Sequence, residues 1–365
     1  MPYKRARRAI QDVHDHMTGR DKTAGRDLGS RPTAPNNQPV RLIHISDLHL
    51  GPMPPFAWPH WNLKRALGFA NWQRKRRHVH STDALACITE AIKARPSDHI
   101  LVGGDLINIG LPLEYATALR WLLELGPPTQ VAVVPGNHDV YTRLWTDAGV
   151  LRWQAFMTGN TDPDHPESVI AQGLTFPYLR IVGNVAIIGV NTAIPTAPGI
   201  ATGRIGGEQL DRLERTLNWT RDRGLFRLIL MHHPPRPDQS DWRRGLRDGD
   251  RLLAMLERTG VDAILHGHNH RPMRGTVKTP TGIAPTLGVG SASAEVAHGD
   301  EPLATFHALE ISGTQPGNWQ ISCDRYGLIA PETPDDDVSV HHLERWVLPT
   351  GAAETAADAV PVVVG

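Results

Sequence analysis

"HISDLHLG", residues 44–51, closes the apolar run of Val40, Leu42, Ile43 and Ile45 with an aspartate and a histidine two positions apart. On an extended backbone, residues i and i+2 project to the same side, so Asp47 and His49 are expected to reach one point in space. A carboxylate and an imidazole together suit a first-row divalent metal and do not favour an all-oxygen calcium site. A polar strand end with a helix-capping aspartate explains the same residues, so the stretch decides nothing alone.

Further polar clusters stand at the ends of other apolar runs. "HILVGGDLIN" leads to Asp105 and Asn108, "QVAVVPGNHD" to Asn137, His138 and Asp139, "RLILMHHPP" to His232 and His233, and "DAILHGHNH" to His268 and His270. Short β-branched runs alternate with helical patterns along the chain, which favours βαβ units around a largely buried sheet. Strands are expected at 40–46, 99–103, 130–134, 178–182, 185–190, 226–231, 262–265, 284–290 and 305–312, and helices at 81–94, 112–125, 207–223 and 250–260. Ser81 to Asp83 supply an N-cap signal, and Gly183-Asn184 stands where a tight hairpin would turn. In an open α/β sheet the carboxyl ends of the strands share one edge, where ligand sites are built, so the clusters should converge.

The totals exclude some functions. The chain has 365 residues, enough for one large α/β domain or two average ones, and its 38 basic and 38 acidic side chains cancel. Net charge therefore gives no argument for a nucleic-acid partner. Cys87 and Cys323 lack neighbours at zinc-finger spacing and read as reduced thiols. No run approaches the roughly 18 apolar residues of a membrane span, and the N-terminus has no apolar signal core, so a cytoplasmic protein is expected. Residues 1–38 read as a disordered basic leader, 39–348 as the catalytic domain and 349–365 as a flexible tail.

The five blocks resemble the ordered pattern of the calcineurin-like metallophosphoesterases: D47-L-H49, G104-D105-L-I-N108, G136-N137-H138-D139, H232 and G267-H268-N-H270. The resemblance covers about residues 40–310 and implies a four-layer α/β/β/α sandwich of two mixed sheets. It implies one metal on Asp47, His49, Asp105 and His270 and a second on Asp105, Asn137, His232 and His268, with Asp105 as the bridge. Mn, Fe, Zn and Co are all compatible with that ligand set. Two divalent ions against two carboxylates leave positive charge for a phosphate, and a metal acidifies water to a pKa of about 7, supplying hydroxide as an in-line nucleophile. By the same resemblance His138 is catalytic, stabilising or protonating the leaving oxygen, with Asp139 orienting it, while His233 packs or contacts substrate. His78, His80, His165, His298, His307, His341 and His342 match nothing and read as surface or core residues.

Departures from the pattern narrow the branch. Ile109 and Asp139 stand where the protein serine/threonine phosphatases have arginine and glutamate, Asn108 replaces the tyrosine of purple acid phosphatases, and His138 replaces an arginine of the lipid A pathway's pyrophosphatases. What remains resembles the class III cyclic-nucleotide and glycerophosphodiester phosphodiesterases, which implies hydrolysis of a small or lipid-linked phosphodiester. A phosphomonoesterase or pyrophosphatase stays open, as does a membrane-surface module with residual metal binding. Residues 56–80, "FAWPHWNLKRALGFANWQRKRRHVH", hold six Lys or Arg, three Trp, two Phe and no acid. That insertion reads as a solvated helix, a lid over an anionic substrate, or a peripheral contact with the anionic inner face of a membrane.

Overall fold

The computed structural model describes residues 38–55, 60–142, 148–159, 175–314, 316–330 and 338–350. Apart from Gln38, Pro349 and Thr350, the expected leader and tail lie outside them, as do Phe56, Trp58 and His165. In chain order the strands are β1 Val40–Ile45, β2 His99–Val102, β3 Val131–Val133, β4 Tyr178–Val182, β5 Val185–Gly189, β6 Phe226–Leu230, β7 Ala263–His266, β8 Met273–Thr279, β9 Gly282–Gly288, β10 Thr305–Ser312, β11 Gln320–Leu328 and β12 Val340–Leu348. The α-helices are α1 Leu63–Arg74, α2 Thr82–Lys93, α3 Pro112–Leu125, α4 Gly207–Asp222 and α5 Gly249–Thr259.

Two six-stranded sheets form, ordered β12-β11-β10-β1-β2-β3 and β4-β5-β6-β7-β9-β8. In each, a parallel set (β1-β2-β3, and β5-β6-β7-β9) is flanked by antiparallel strands. Side-chain alternation divides the second sheet's faces: Val185, Ile187, Leu228 and Leu230 join the large core shared with the first sheet. Ala186, Ile188 and Ile229 instead pack with Leu213 and Leu217 of α4 and Leu252 and Leu256 of α5. The helical spacing of those leucines makes one apolar stripe per helix, which the sheet buries. On the first sheet, Leu85, Ile88 and Ile92 of α2 and Leu122 of α3 join the large core. The result is the expected sandwich of two mixed sheets between helices.

Local signals set several boundaries. The Ser81 hydroxyl accepts from Asp83 N and Ala84 N and so starts α2. Val182 pairs with Val185, which leaves Gly183-Asn184 as the two-residue hairpin turn. β8, β11 and β12 are not expected from the sequence because they are only partly buried and charged residues such as Arg325, Glu344 and Arg345 interrupt their apolar runs. The parallel strands are buried on both faces and therefore show as continuous apolar runs.

Candidate metal centre

All the carboxyl tips of β1, β2, β3, β6 and β7 lie at one edge, and the loops leaving them turn sharply. β1 stops at Ile45, and Asp47 and His49 have φ of 55° and 43°. They meet because the loop curls back into left-handed backbone, so the expected reason, alternation along an extended strand, is corrected. Asp105 (54°), His268 (73°) and His270 (54°) join them, and these five are the non-glycine residues with positive φ among the described residues. Each such residue costs on the order of 1–3 kcal/mol and persists where its surroundings over-determine it. Here Asp47 N donates to Gly104 O (2.9 Å) and His49 N to Asp105 O (3.0 Å). The buried Asp139 carboxylate accepts from the backbone N–H groups of Asp105 (2.8 Å), Leu106 (2.9 Å), Ile107 (3.2 Å) and Gly136 (2.9 Å). Gly104 has φ +97°, and a Cβ on it would lie 2.5 Å from Gly136 N, so this crossing of two ligand loops requires glycine.

Donor atoms from both sheets face one another across this edge. His49 Nε2 and His270 Nε2 are 3.1 Å apart, and His270 Nε2 lies 3.3 Å from Asp47 Oδ1. His232 Nε2 lies 3.4 Å from Asp105 Oδ2, 3.2 Å from Asn137 Oδ1 and 3.2 Å from His268 Nδ1. One donor atom each of Asp47, His49 and Asp105, and of Asp105, His232 and His268, falls within 4.8 Å of the others in its group.

These donors fit divalent metal ions. Atoms bound about 2.1 Å from one ion at tetrahedral or octahedral angles stand about 3.0–3.4 Å apart, which matches the spacing found. The outer ring nitrogens are already committed: His232 Nδ1 to Gly103 O (2.7 Å), His49 Nδ1 to Ile107 O (3.3 Å) and His270 Nδ1 to Glu301 Oε2 (3.1 Å). Because carbonyls and carboxylates only accept, those nitrogens carry protons, and in the neutral rings the inward Nε2 atoms present lone pairs. Asp47 Oδ1 and His268 Nε2 are buried without a hydrogen bond. Burial works against charging His232 and His270, yet the carboxylates of Asp105 and Asp47 override it and lift both to about 9. The centre thus attracts positive charge strongly enough to outweigh desolvation.

The remaining candidates are distributed as follows. His138 N donates to Asp105 Oδ1 (2.7 Å), and its Nδ1 donates to Asn108 O, so the Asn108 carbonyl holds the ring where Asp139 was expected to. The Asn108 amide donates to Leu50 O (3.0 Å). Both nitrogens of His233 are engaged, by Thr192 Oγ1 (2.7 Å) and Ala201 O (3.1 Å), and the ring is buried, so it packs. His266 and His307 are buried in their strands.

Three residues arrive that the motif reading left out. Arg76 Nη2 donates to His138 Nε2 (2.8 Å), so this cation points into the centre and not toward a membrane. Burial and Arg76 together lower the His138 ring to about 3. The ring of His80, read as a surface or core residue, lies tilted 4.7 Å from that of His49, and one nitrogen of each of His49, His80 and His270 falls within 4.8 Å of the others. Ser293 Oγ holds the His80 Nδ1 at 2.9 Å. Glu301 orients His270. No local motif marks these three, and their only sequence signal is the unusual basic composition around Arg76.

The profile describing the calcineurin-like phosphoesterases matches residues 40–272. A probable cyclic nucleotide phosphodiesterase of Synechococcus sp. is 27% identical over 198 residues, which is 52% of this chain and 65% of that protein. The 3′,5′-cyclic adenosine monophosphate phosphodiesterase CpdA of Pseudomonas aeruginosa is 32% identical over 144 residues, 37% of this chain and 50% of CpdA. The glycerophosphodiester phosphodiesterase GpdQ of Enterobacter lignolyticus is 29% identical over 183 residues, 49% and 58% of the two chains. The chain spans less than two-thirds of the length of each of these relatives.

Proposed function

We propose, on the premise that this chain belongs to the calcineurin-like phosphoesterase family, that it hydrolyses a phosphodiester at a binuclear centre. Asp47, His49, Asp105 and His270 would hold one divalent ion, and Asp105, Asn137, His232 and His268 the other. The observation that carries this reading is the pair of donor clusters, whose atoms face one another at 3.1–3.4 Å while the outer nitrogens of His49, His232 and His270 are tied off. When bound, two such ions supply positive charge to phosphoryl oxygens and acidify water to a pKa of about 7.

The chain's own residues supply the rest. Asp139 braces the loop of Asp105 through its four backbone hydrogen bonds and thereby fixes the carboxylate common to both donor groups. His138, held on the Asn108 carbonyl, presents a lone pair at Nε2 and is a proton acceptor there in its neutral form. The Arg76 guanidinium on that nitrogen is the group that offers N–H donors to a phosphoryl or leaving oxygen. The names of the relatives favour a diester over a monoester.

Metal content measured beside turnover of bis-p-nitrophenyl phosphate and p-nitrophenyl phosphate tests the proposal. Two ions per chain with faster diester turnover is the expected result. One ion per chain sinks the binuclear reading, and a fully loaded protein inert on both esters favours the interaction module. Membrane contact is a second reading, supported by the exposure of Trp61 (49%), Leu63 (72%) and Leu67 (52%) near Arg74, Lys75 and Arg77. It loses Arg65 as well as Arg76, because Arg65 is buried and donates to the carbonyls of His60, Ile109 and Gly110. Among the described residues no helix is long and apolar enough to cross a membrane.

A further inference from the structure

Beside His138 and Asn137 opens a cavity of about 610 Å³, within the usual range of small-molecule sites. One wall is α1, whose Gly68 sits against the Tyr141 hydroxyl and Ile109 so closely that any side chain there would clash. Thr196, residues 198–201 and Arg244 line it as well. Among the described residues two cations, Lys64 and Arg244, line it, and no aspartate or glutamate does.

Among the described residues neither cation makes a contact ion pair with a carboxylate, although the charge of Arg244 is felt at Glu301. Lys64 Nζ donates to Thr196 Oγ1 (3.2 Å) and stands 4.4 Å from the centre of the Tyr141 ring. Arg244 Nη2 donates to His268 O (2.7 Å), which fixes the side chain where it lines the cavity. Arg65, one residue from Lys64, is the contrast: three backbone carbonyls engage it, and it is a strut. Burial lowers the Lys64 ammonium to about 8, so the position costs stability that a bound anion would return.

We propose that this cavity is a second anion subsite, in which Lys64 and Arg244 receive a phosphate or carboxylate carried on one alcohol arm of the phosphodiester. The inference rests on the phosphodiesterase reading and narrows it. The substrate is a diester with an additional anionic group, placed beside His138 while the scissile phosphate lies at the metal ligands.

Thymidine 3′,5′-bisphosphate and thymidine 5′-monophosphate, bound to the metal-loaded protein and measured by calorimetry, separate the subsite from turnover. The bisphosphate should bind about tenfold tighter or more, as expected for charge-assisted hydrogen bonds. Lys64→Gln should bring the two affinities within about twofold, and Lys64→Arg should restore the difference. The p-nitrophenyl 5′-esters of thymidine with and without a 3′-phosphate should show the same preference in kcat/KM, carried by KM. Equal affinities in the wild type, or a preference that survives in both Lys64→Gln and Arg244→Gln, overturn the subsite. Tight binding of inorganic phosphate at Lys64 with no preference between the two nucleotides overturns its assignment to a substrate arm. Failure of the wild type to hydrolyse bis-p-nitrophenyl phosphate would count against the phosphodiesterase reading, while the calorimetry still decides the subsite.

Discussion

The loops at the strand tips and the arm of residues 60–80 reach the same centre by opposite means. The tips hold Asp47, His49, Asp105, His268 and His270 on left-handed backbone, braced by crossing hydrogen bonds and by Asp139. The arm reaches in from α1 and the turn after it with long side chains, Lys64, Arg76 and His80, on less buried backbone. Coordination needs donors fixed to a fraction of an ångström, which a strained loop on a buried sheet provides. Contact with a substrate that comes and goes suits flexible side chains whose partners can be exchanged. Ligand loops and arm should therefore fail differently when altered.

Asp105→Ala gives the largest effect expected. It removes the carboxylate common to both clusters, so metal analysis should find both ions lost and diester turnover near background. A variant retaining two ions and near-normal turnover would break the contrast at its root. Arg76→Gln should leave metal content intact while lowering kcat/KM by about 10²–10³-fold, the usual loss for one donor to a developing oxyanion. Arg76→Lys should recover only part, because an ammonium lacks the planar fork. If Arg76→Gln instead sheds metal, the arm is structural and the comparison collapses.

His80 tests the boundary between the two regions. Its ring sits with His49 and His270, so His80→Gln should weaken one of two ions by about 10–100-fold and spare the other, read by metal titration. Identical titrations for variant and wild type would return His80 to a packing role.

The pH dependence sharpens the arm further. Lys64 is charged below its lowered pKa of about 8, so preference for the bisphosphate should be present below that pH and fade as pH rises through it. The Tyr141 phenol against Lys64 is raised above its ordinary value by burial, so it does not titrate in that window. A preference constant from pH 6 to 9.5 would assign it to Arg244 alone.

The smallest effect on chemistry belongs to the outward cations. Replacing Arg74, Lys75 and Arg77 together by Gln should weaken any salt-sensitive sedimentation with anionic vesicles, each contributing up to about 1 kcal/mol near such a surface. Bis-p-nitrophenyl phosphate turnover should move by less than about twofold, since these residues are exposed. Wild-type protein that ignores vesicles at low salt would end the membrane reading.

By itself the sequence determined the parallel strands, four of the helices and the metal-type side chains at their ends. Parallel strands buried on both faces appear as unbroken apolar runs, and each ligand block is contiguous, so chemistry and position are read together. Only the tertiary structure decided how the donors meet. Asp47 and His268 are separated by 221 residues in sequence, yet His268 N donates to Asp47 Oδ2 at 2.9 Å because the two sheets pack face to face and bring their strand tips together. The direction of a side chain on a docked helix depends on what the helix packs against. Composition alone could therefore not tell the inward Lys64, Arg65 and Arg76 from the outward Arg74, Lys75 and Arg77. His80 and Glu301 lie outside every motif, and they join the centre only because the fold brings three distant loops to one edge.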